Sequence, residues 1–167
     1  MCSLKGAPRT DFRATITNGL STTSMSVTLL CAICMIKYAY CANELSSTVT
    51  LLTYNNGKMK DIHEYSTVPA DYHGNNAPAA IRYHKGYVYV SNRGHDSIAC
   101  FKAIEDKLVL IDIVNSGGNS PRDFNIFEEH LICANEDSDN VTVFALKSGR
   151  LAELSKISLK KPLCVVF

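Results

Sequence analysis

Tyr87-Val-Tyr-Val-Ser-Asn-Arg-Gly-His-Asp-Ser-Ile-Ala-Cys-Phe101 reads as a strand, a polar turn and a second strand. Aromatic and β-branched residues fill its two ends, while Asn92, Gly94, Asp96 and Ser97 supply the turn. The pattern recurs upstream as Tyr38-Ala-Tyr-Cys-Ala-Asn-Glu-Leu-Ser-Ser-Thr-Val49. It recurs downstream as Leu131-Ile-Cys-Ala-Asn-Glu-Asp-Ser-Asp-Asn-Val-Thr-Val-Phe144. Anchored on Asn43, Asn92 and Asn135, the copies stand 49 and 43 residues apart. Four residues on from each anchor are Ser47, Asp96 and Asp139; six on are Val49, Ile98 and Val141; nine on are Leu52, Phe101 and Phe144. Short strands repeating every ~40–50 residues mark the blades of a β-propeller. The expected class is therefore all-β: a partial β-propeller of about three four-stranded antiparallel blades.

Composition agrees with a folded domain. The chain has 167 residues, of which 46% are hydrophobic and 20% charged, an ordinary globular balance. A net charge of +1 gives no electrostatic reason to expect nucleic acid or an anionic membrane as partner. The seven cysteines show no paired spacing and are odd in number, which argues against a disulfide scaffold. Cys41 and Cys133 sit two residues before a repeat asparagine and Cys100 lies within a strand, where reduced thiols act as small apolar side chains. Cys31-Ala-Ile-Cys34 has zinc or redox spacing but no second pair to complete a site, so two buried thiols are expected there. These readings point to a reducing cytoplasm, with no metal and no cofactor. The apolar run Val27 to Ile36 is ten residues, against the ~20 that span a bilayer, and reads as a buried strand or helix.

Two regions are expected: a divergent or weakly ordered segment over 1–36 and the partial propeller over 37–167. Within the second, strands are predicted at 37–42, 48–54 and, after the hairpin signal Asn56-Gly57, 58–65. A long loop, 66–78, precedes strands at 79–84, 87–91, 97–103 and 107–114. Strands at 122–127, 130–134, 140–146 and 151–158 follow, and Pro162 to Phe167 is predicted as a last short strand.

Ala79-Ala-Ile-Arg with the 87–98 segment, Pro121-Arg-Asp-Phe with the 131–144 segment, Tyr38 to Ser47, and Pro162-Leu-Cys-Val-Val-Phe167 together resemble the lactonase family of seven-bladed β-propellers. That family includes bacterial-type 6-phosphogluconolactonase and fungal carboxy-muconate cyclase. The resemblance covers about Lys37 to Phe167 and corresponds to the C-terminal part of a chain about twice as long. It departs at a Gly-Pro-Arg-His segment of the family, which has no match in Ser24 to Ile36. The resemblance implies a carboxylic ester hydrolase that opens an anionic sugar lactone with water. A muconate-lactone cyclase is the alternative within the family. An inactive propeller segment that acts as a binding module, associating through open blade edges, is the alternative outside it.

Candidate chemistry sits beside the repeat asparagines, at positions expected to line a central channel: Glu44, Arg93 and Glu136. A carboxylate can orient or deprotonate water, and a guanidinium can hold an anion or a developing oxyanion. The resemblance places Glu44 and Arg93 in the family's cleft. The competing reading is a plain ion pair between blades. His95, in the turn with Arg93, is a candidate acid/base or phosphate contact, or else a turn cap. Arg122 is a candidate second anion contact. Asn92 and Asn135 read as turn residues and are also carried as candidate substrate contacts. Asp96 and Asp139 are explained by Asx-turn capping and carry no catalytic weight.

Overall fold

The computed structural model describes residues 31–34, 37–55 and 58–167. Twelve strands among them form three four-stranded antiparallel sheets, each wound in chain order. The first blade holds β1 (Cys31–Cys34), β2 (Tyr38–Asn43), β3 (Thr48–Asn55) and β4 (Lys58–Ser66). The second holds β5 (Ala77–His84), β6 (Tyr87–Arg93), β7 (Ser97–Ile104) and β8 (Lys107–Asn115). The third holds β9 (Pro121–Phe127), β10 (His130–Asn135), β11 (Asn140–Lys147) and β12 (Arg150–Ser158). Neighbouring sheets meet mainly through β1, β2 and β5 and through β5, β6 and β9, and barely through β8 and β12. The first strand of each blade is thus the innermost and the sheets fan outward, as in a propeller.

Two expectations need correction. The division between residues 36 and 37 falls inside the first sheet, because the backbone of Cys31–Cys34 pairs with Tyr38–Cys41. The terminal segment Pro162 to Phe167 is not a strand. A strand needs a backbone ladder beside it, whereas this segment is held by side chains: Val165 N donates to Asp123 at 2.9 Å, and Asn125 donates to the Val165 carbonyl at 3.2 Å. The expected weak order of residues 1–30, the side chains of Cys31 and Cys34 and the turn Asn56-Gly57 lie outside the described residues, although Asn55 and Lys58 do pair across that turn.

The second blade is the centre of the packing. Its residues Val88, Val90, Ala99 and Phe101 face the first blade, against Tyr40, Val49 and Leu51. The alternate residues Tyr89, Ile98 and Cys100 face the third blade, against Phe124, Leu131 and Phe144. A strand buried on both faces needs apolar residues at every position, which is why this stretch reads as an unbroken apolar run and not an alternation. One β-bulge recurs in all three blades, between Leu51 and Leu52, Cys100 and Phe101, and Val143 and Phe144. Each adds one aliphatic residue to the outermost strand, Ile62, Ile111 or Leu154, and a bulge at a fixed position raises the twist of every sheet alike.

The repeat asparagines join the blades. Asn92 is fully buried; its Nδ2 donates to the Thr67 carbonyl at 2.7 Å and to Ser97 Oγ at 3.2 Å. Asn135, also fully buried, donates to the Ser116 carbonyl at 3.2 Å and to Thr142 Oγ1 at 3.0 Å. Thr67 and Ser116 are the residues that leave the preceding blade, so each amide ties one blade's exit to the next blade's hairpin. The residues four beyond the anchors take left-handed backbone, with φ of 56°, 54° and 51° at Ser47, Asp96 and Asp139. Their carbonyls accept from Thr67, Ser116 and Leu159 N–H at 2.9–3.0 Å. Small polar side chains tolerate this conformation. Asp96 and Asp139 reach further than local capping, accepting from the N–H of Ser120 and Lys161 at 2.8 and 2.9 Å.

Cys41, Cys100 and Cys133 are buried, while Cys164 is exposed. Burial pushes the Cys100 thiol up from 9.0 to about 12, and Cys133 is raised for the same cause.

Replacing Asn92 with Ala strands a buried carbonyl and two hydroxyl partners. Unfolding by denaturant is expected to show a loss of about 2–3 kcal/mol. The half-buried Asn43, whose bonds to Cys41, Thr48 and Thr50 stay within its own blade, loses less on the same change.

A thiol kept protonated in the fold beyond its unfolded value adds stability that is fully present below pH 9 and fades as pH rises towards about 12. Chemical denaturation across pH 7–11 should therefore show a loss that begins near pH 9, and replacing Cys100 with Ala should reduce that slope.

Candidate functional site

The turns β2–β3, β6–β7 and β10–β11 and the starts of β5 and β9 share one end of the blades, as the pairs Ala77 with Arg93 and Pro121 with Asn135 require. On this rim the structure brings Glu44 and Arg93 together. Arg93 Nη2 donates to Glu44 Oε1 at 2.6 Å across the seam between the first and second blades. Both side chains are about one-quarter exposed, at 24% and 29%. Arg93 Nε is buried and has no partner among the described residues. The guanidinium is therefore anchored at one nitrogen and unsatisfied at another.

Arg122 and Glu136 form a second, looser pair at 3.4 Å within the third blade. Beside it, Lys161 donates to Asp137 at 3.0 Å and holds that carboxyl below its usual range. With Arg93 and Glu44, these contacts make three charge pairs along the rim.

His95 is half-buried in the β6–β7 turn. Its Nδ1 lies 2.7 Å from Ser97 Oγ, its backbone N–H donates to Asn76 Oδ1 at 3.3 Å, and the Tyr72 ring meets the imidazole edge-on at 4.6 Å between centroids. Tyr72 and Asn76 belong to the connection between β4 and β5. This connection packs directly on the turn: a Cβ at Gly94, where φ is +105°, would come within 2.2 Å of the Asn75 carbonyl oxygen. Glycine is required there by both conformation and space.

Three placements differ from the sequence reading. Glu44 and Glu136 lie in turns between second and third strands, at the rim, because the channel side of each blade is its first strand. Asn92 and Asn135, also carried as candidate substrate contacts, are fully buried and their amides are engaged by the protein. The charged pair on the inner strands is one that sequence reasoning missed: Arg82 of β5 and Asp123 of β9, 2.9 Å apart and 30% and 17% exposed. Its signal was a charged residue, Arg82 or Asp123, within each of two innermost strands. Among the described residues no three His, Cys, Asp or Glu side chains cluster as metal ligands would.

Residues 34–167 match the family model described as Lactonase, 7-bladed beta-propeller. An uncharacterized protein of Staphylococcus aureus is 41% identical over 145 residues, which cover 78% of this chain and 41% of the relative. The chain thus spans about two-fifths of the length of the curated relatives it matches. A Lactobacillus plantarum protein of known structure superposes with a TM-score of 0.75 at 35% identity, over 77% of this chain and 40% of that one. The periplasmic gluconolactonase of Pseudomonas aeruginosa superposes with a TM-score of 0.71 at 25% identity, over 75% of this chain and 38% of that one.

The geometry ranks the two ion pairs. A double-mutant cycle on Glu44→Gln and Arg93→Ala is expected to give a coupling of about 1 kcal/mol, and the same cycle on Arg122 and Glu136 a value near zero. Equal couplings would contradict the difference in distance and exposure.

Proposed function

This chain belongs to the lactonase family of seven-bladed β-propellers, and from that premise we propose that it contributes the rim of a lactone-hydrolysing site. The reading extends to 6-phosphogluconolactonase-like chemistry on an anionic sugar lactone. The observation that carries it is the Glu44–Arg93 pair, held at 2.6 Å between two blades with one guanidinium N–H left unsatisfied. The Pseudomonas gluconolactonase, of the same fold, supports a sugar lactone as substrate.

The step needs few groups. Glu44 accepts a proton from water as the water oxygen bonds to the lactone carbonyl carbon. Arg93 donates to the oxygen on which charge develops, or to the substrate's own anion. The ring carbon–oxygen bond then breaks, and the proton returns to the departing alkoxide, leaving the open hydroxy acid. His95 and Arg122 stand along the same rim as contacts for the phosphate or carboxylate.

A second reading has an observation in its favour. Glu44 and Arg93 pair across a blade seam, as a purely structural pair would, which suits a non-catalytic propeller segment that binds other molecules. Self-association fits this reading too, because Leu154, Ile157 and Phe167 of the third blade's side are 57%, 59% and 51% exposed.

The test is hydrolysis of 6-phosphogluconolactone by the purified chain beside Glu44→Gln and Arg93→Ala, with mass by light scattering on the same samples. Activity that falls roughly 100-fold in both variants is the expected result. A folded chain with no activity above its variants would remove the enzyme reading and leave the binding module.

A further inference from the structure

Each hairpin turn of the rim ties the third residue beyond its anchor asparagine to the fifth. In the first blade the hydroxyls of Ser46 and Thr48 lie 2.8 Å apart. In the third, Ser138 donates to Asn140 Oδ1. In the second, His95 Nδ1 lies 2.7 Å from Ser97 Oγ. Two blades close this turn with serine, so the turn does not require an imidazole. His95 brings what serine lacks, a second polar atom on the far side of the ring. That atom, Nε2, makes no hydrogen bond among the described residues. It is not enclosed either, since the side-chain nitrogens enclosed there without a partner are those of His84 and Arg93. Nε2 is therefore open at the surface of the rim.

The position of the imidazole proton follows from a chain of bonds that starts at a backbone carbonyl. The Thr67 carbonyl can only accept, so the Asn92 atom facing it at 2.7 Å is the amide nitrogen Nδ2. The other hydrogen of Nδ2 goes to Ser97 Oγ at 3.2 Å. Ser97 is 1% exposed, and its own proton needs an acceptor inside the protein. Among the described residues His95 Nδ1 is the acceptor within reach. A hydroxyl that donates to Nδ1 requires a lone pair there, and a neutral imidazole then carries its proton on Nε2. The Tyr72 ring, edge-on at 4.6 Å, and the bond from the His95 backbone N–H to Asn76 hold the ring in this setting.

A histidine in this state donates at Nε2 and has no free lone pair with which to take a proton. We propose that His95 is a fixed hydrogen-bond donor on the rim, that Ser97 is the positioning residue that sets its proton, and that Nε2–H binds an anionic oxygen of the ligand, of phosphate or carboxylate type. Its role is then binding and not general-base catalysis. Arg93 stands two residues earlier in the same turn, so one turn carries both a guanidinium and a neutral donor for an anion. The ligand rests on the lactonase reading, whereas the position of the proton does not.

The test uses the full chain with its histidine rings labelled with 15N, and 6-phosphogluconate as the probe. Ring NMR is expected to show His95 protonated at Nε2 and bare at Nδ1. Ser97→Ala removes the hydroxyl and should move the ring towards a mixture of tautomers. Ser97→Thr, the residue type that Thr48 provides at this position in the first blade, should keep the Nε2 form. 6-Phosphogluconate is expected to shift the Nε2–H resonance saturably. His95→Ser reproduces the turn of the other two blades without the outward donor. It should lower the affinity about ten-fold, with a thermal transition close to that of the wild type. A wild-type ring protonated at Nδ1, or a tautomer indifferent to Ser97→Ala, would overturn the assignment of the proton. Binding undiminished in His95→Ser would remove the donor role and leave the lactonase reading standing. No binding of 6-phosphogluconate to the folded wild type would sink the proposed ligand and the lactonase reading together.

Discussion

The buried asparagine amide is the interaction on which the rest of this structure depends. An antiparallel blade satisfies its own backbone by its ladders, but the chain must leave the fourth strand and cross to the next blade's first strand. The crossing exposes carbonyls that no ladder can take. Asn92 and Asn135 supply the missing donor to Thr67 and Ser116 and at the same time brace the turn of the next hairpin. An unpaired buried carbonyl costs about 1–3 kcal/mol. The asparagine thus fixes the angle between blades as well as the turn, and repetition of one side chain propagates one geometry.

The rim inherits its precision from this joint. Arg93 follows Asn92 directly, so its backbone is set by the bonds that hold the blades together, while Glu44 follows Asn43, whose bonds brace the hairpin of its own blade. The 2.6 Å pair between them is a consequence: two residues at one repeat position in adjacent blades, with opposite charge, face the same seam. The third blade repeats the position with Glu136 but not the pairing, because Arg122 meets it from within the blade at a longer distance. The β4–β5 connection adds a wall. Asn76 bonds both Asn92 and the His95 backbone, so the loop and the catalytic candidate are parts of one network.

Burial on both faces explains the middle blade and also marks where the fold is asymmetric. Val88, Tyr89, Val90 and Ile98 to Phe101 are all at most 1% exposed, since a blade lies on each side. The third blade has no such neighbour beyond β12 among the described residues, and its aliphatic side chains Leu154 and Ile157 meet solvent. The same alternation that builds a seam inside the fold therefore leaves an apolar surface at its edge.

The repeated sequence by itself determined the three blades, their strands and the hairpin turns, because strand propensity and turn chemistry are local and the period is read directly along the chain. It also determined that thiols at Cys41, Cys100 and Cys133 serve as small apolar residues. Only the tertiary structure decided what the repeat asparagines do: their partners Thr67 and Ser116 lie 25 and 19 residues back, in the preceding blade's exit, and no spacing encodes that contact. The recurrent bulge was likewise illegible, since an extra Ile62, Ile111 or Leu154 looks like any strand residue until its partner strand skips it. The fate of Pro162 to Phe167 was decided the same way: its apolar pattern is a strand's, but strand structure requires a neighbouring backbone, and pairing is a property of the fold and not of the segment. The site divides along the same line. Glu44 and Arg93 were visible as charges at one repeat position, whereas Arg82 with Asp123, and the Thr67 carbonyl from which the proton of His95 is set, became visible only when separate blades were brought face to face.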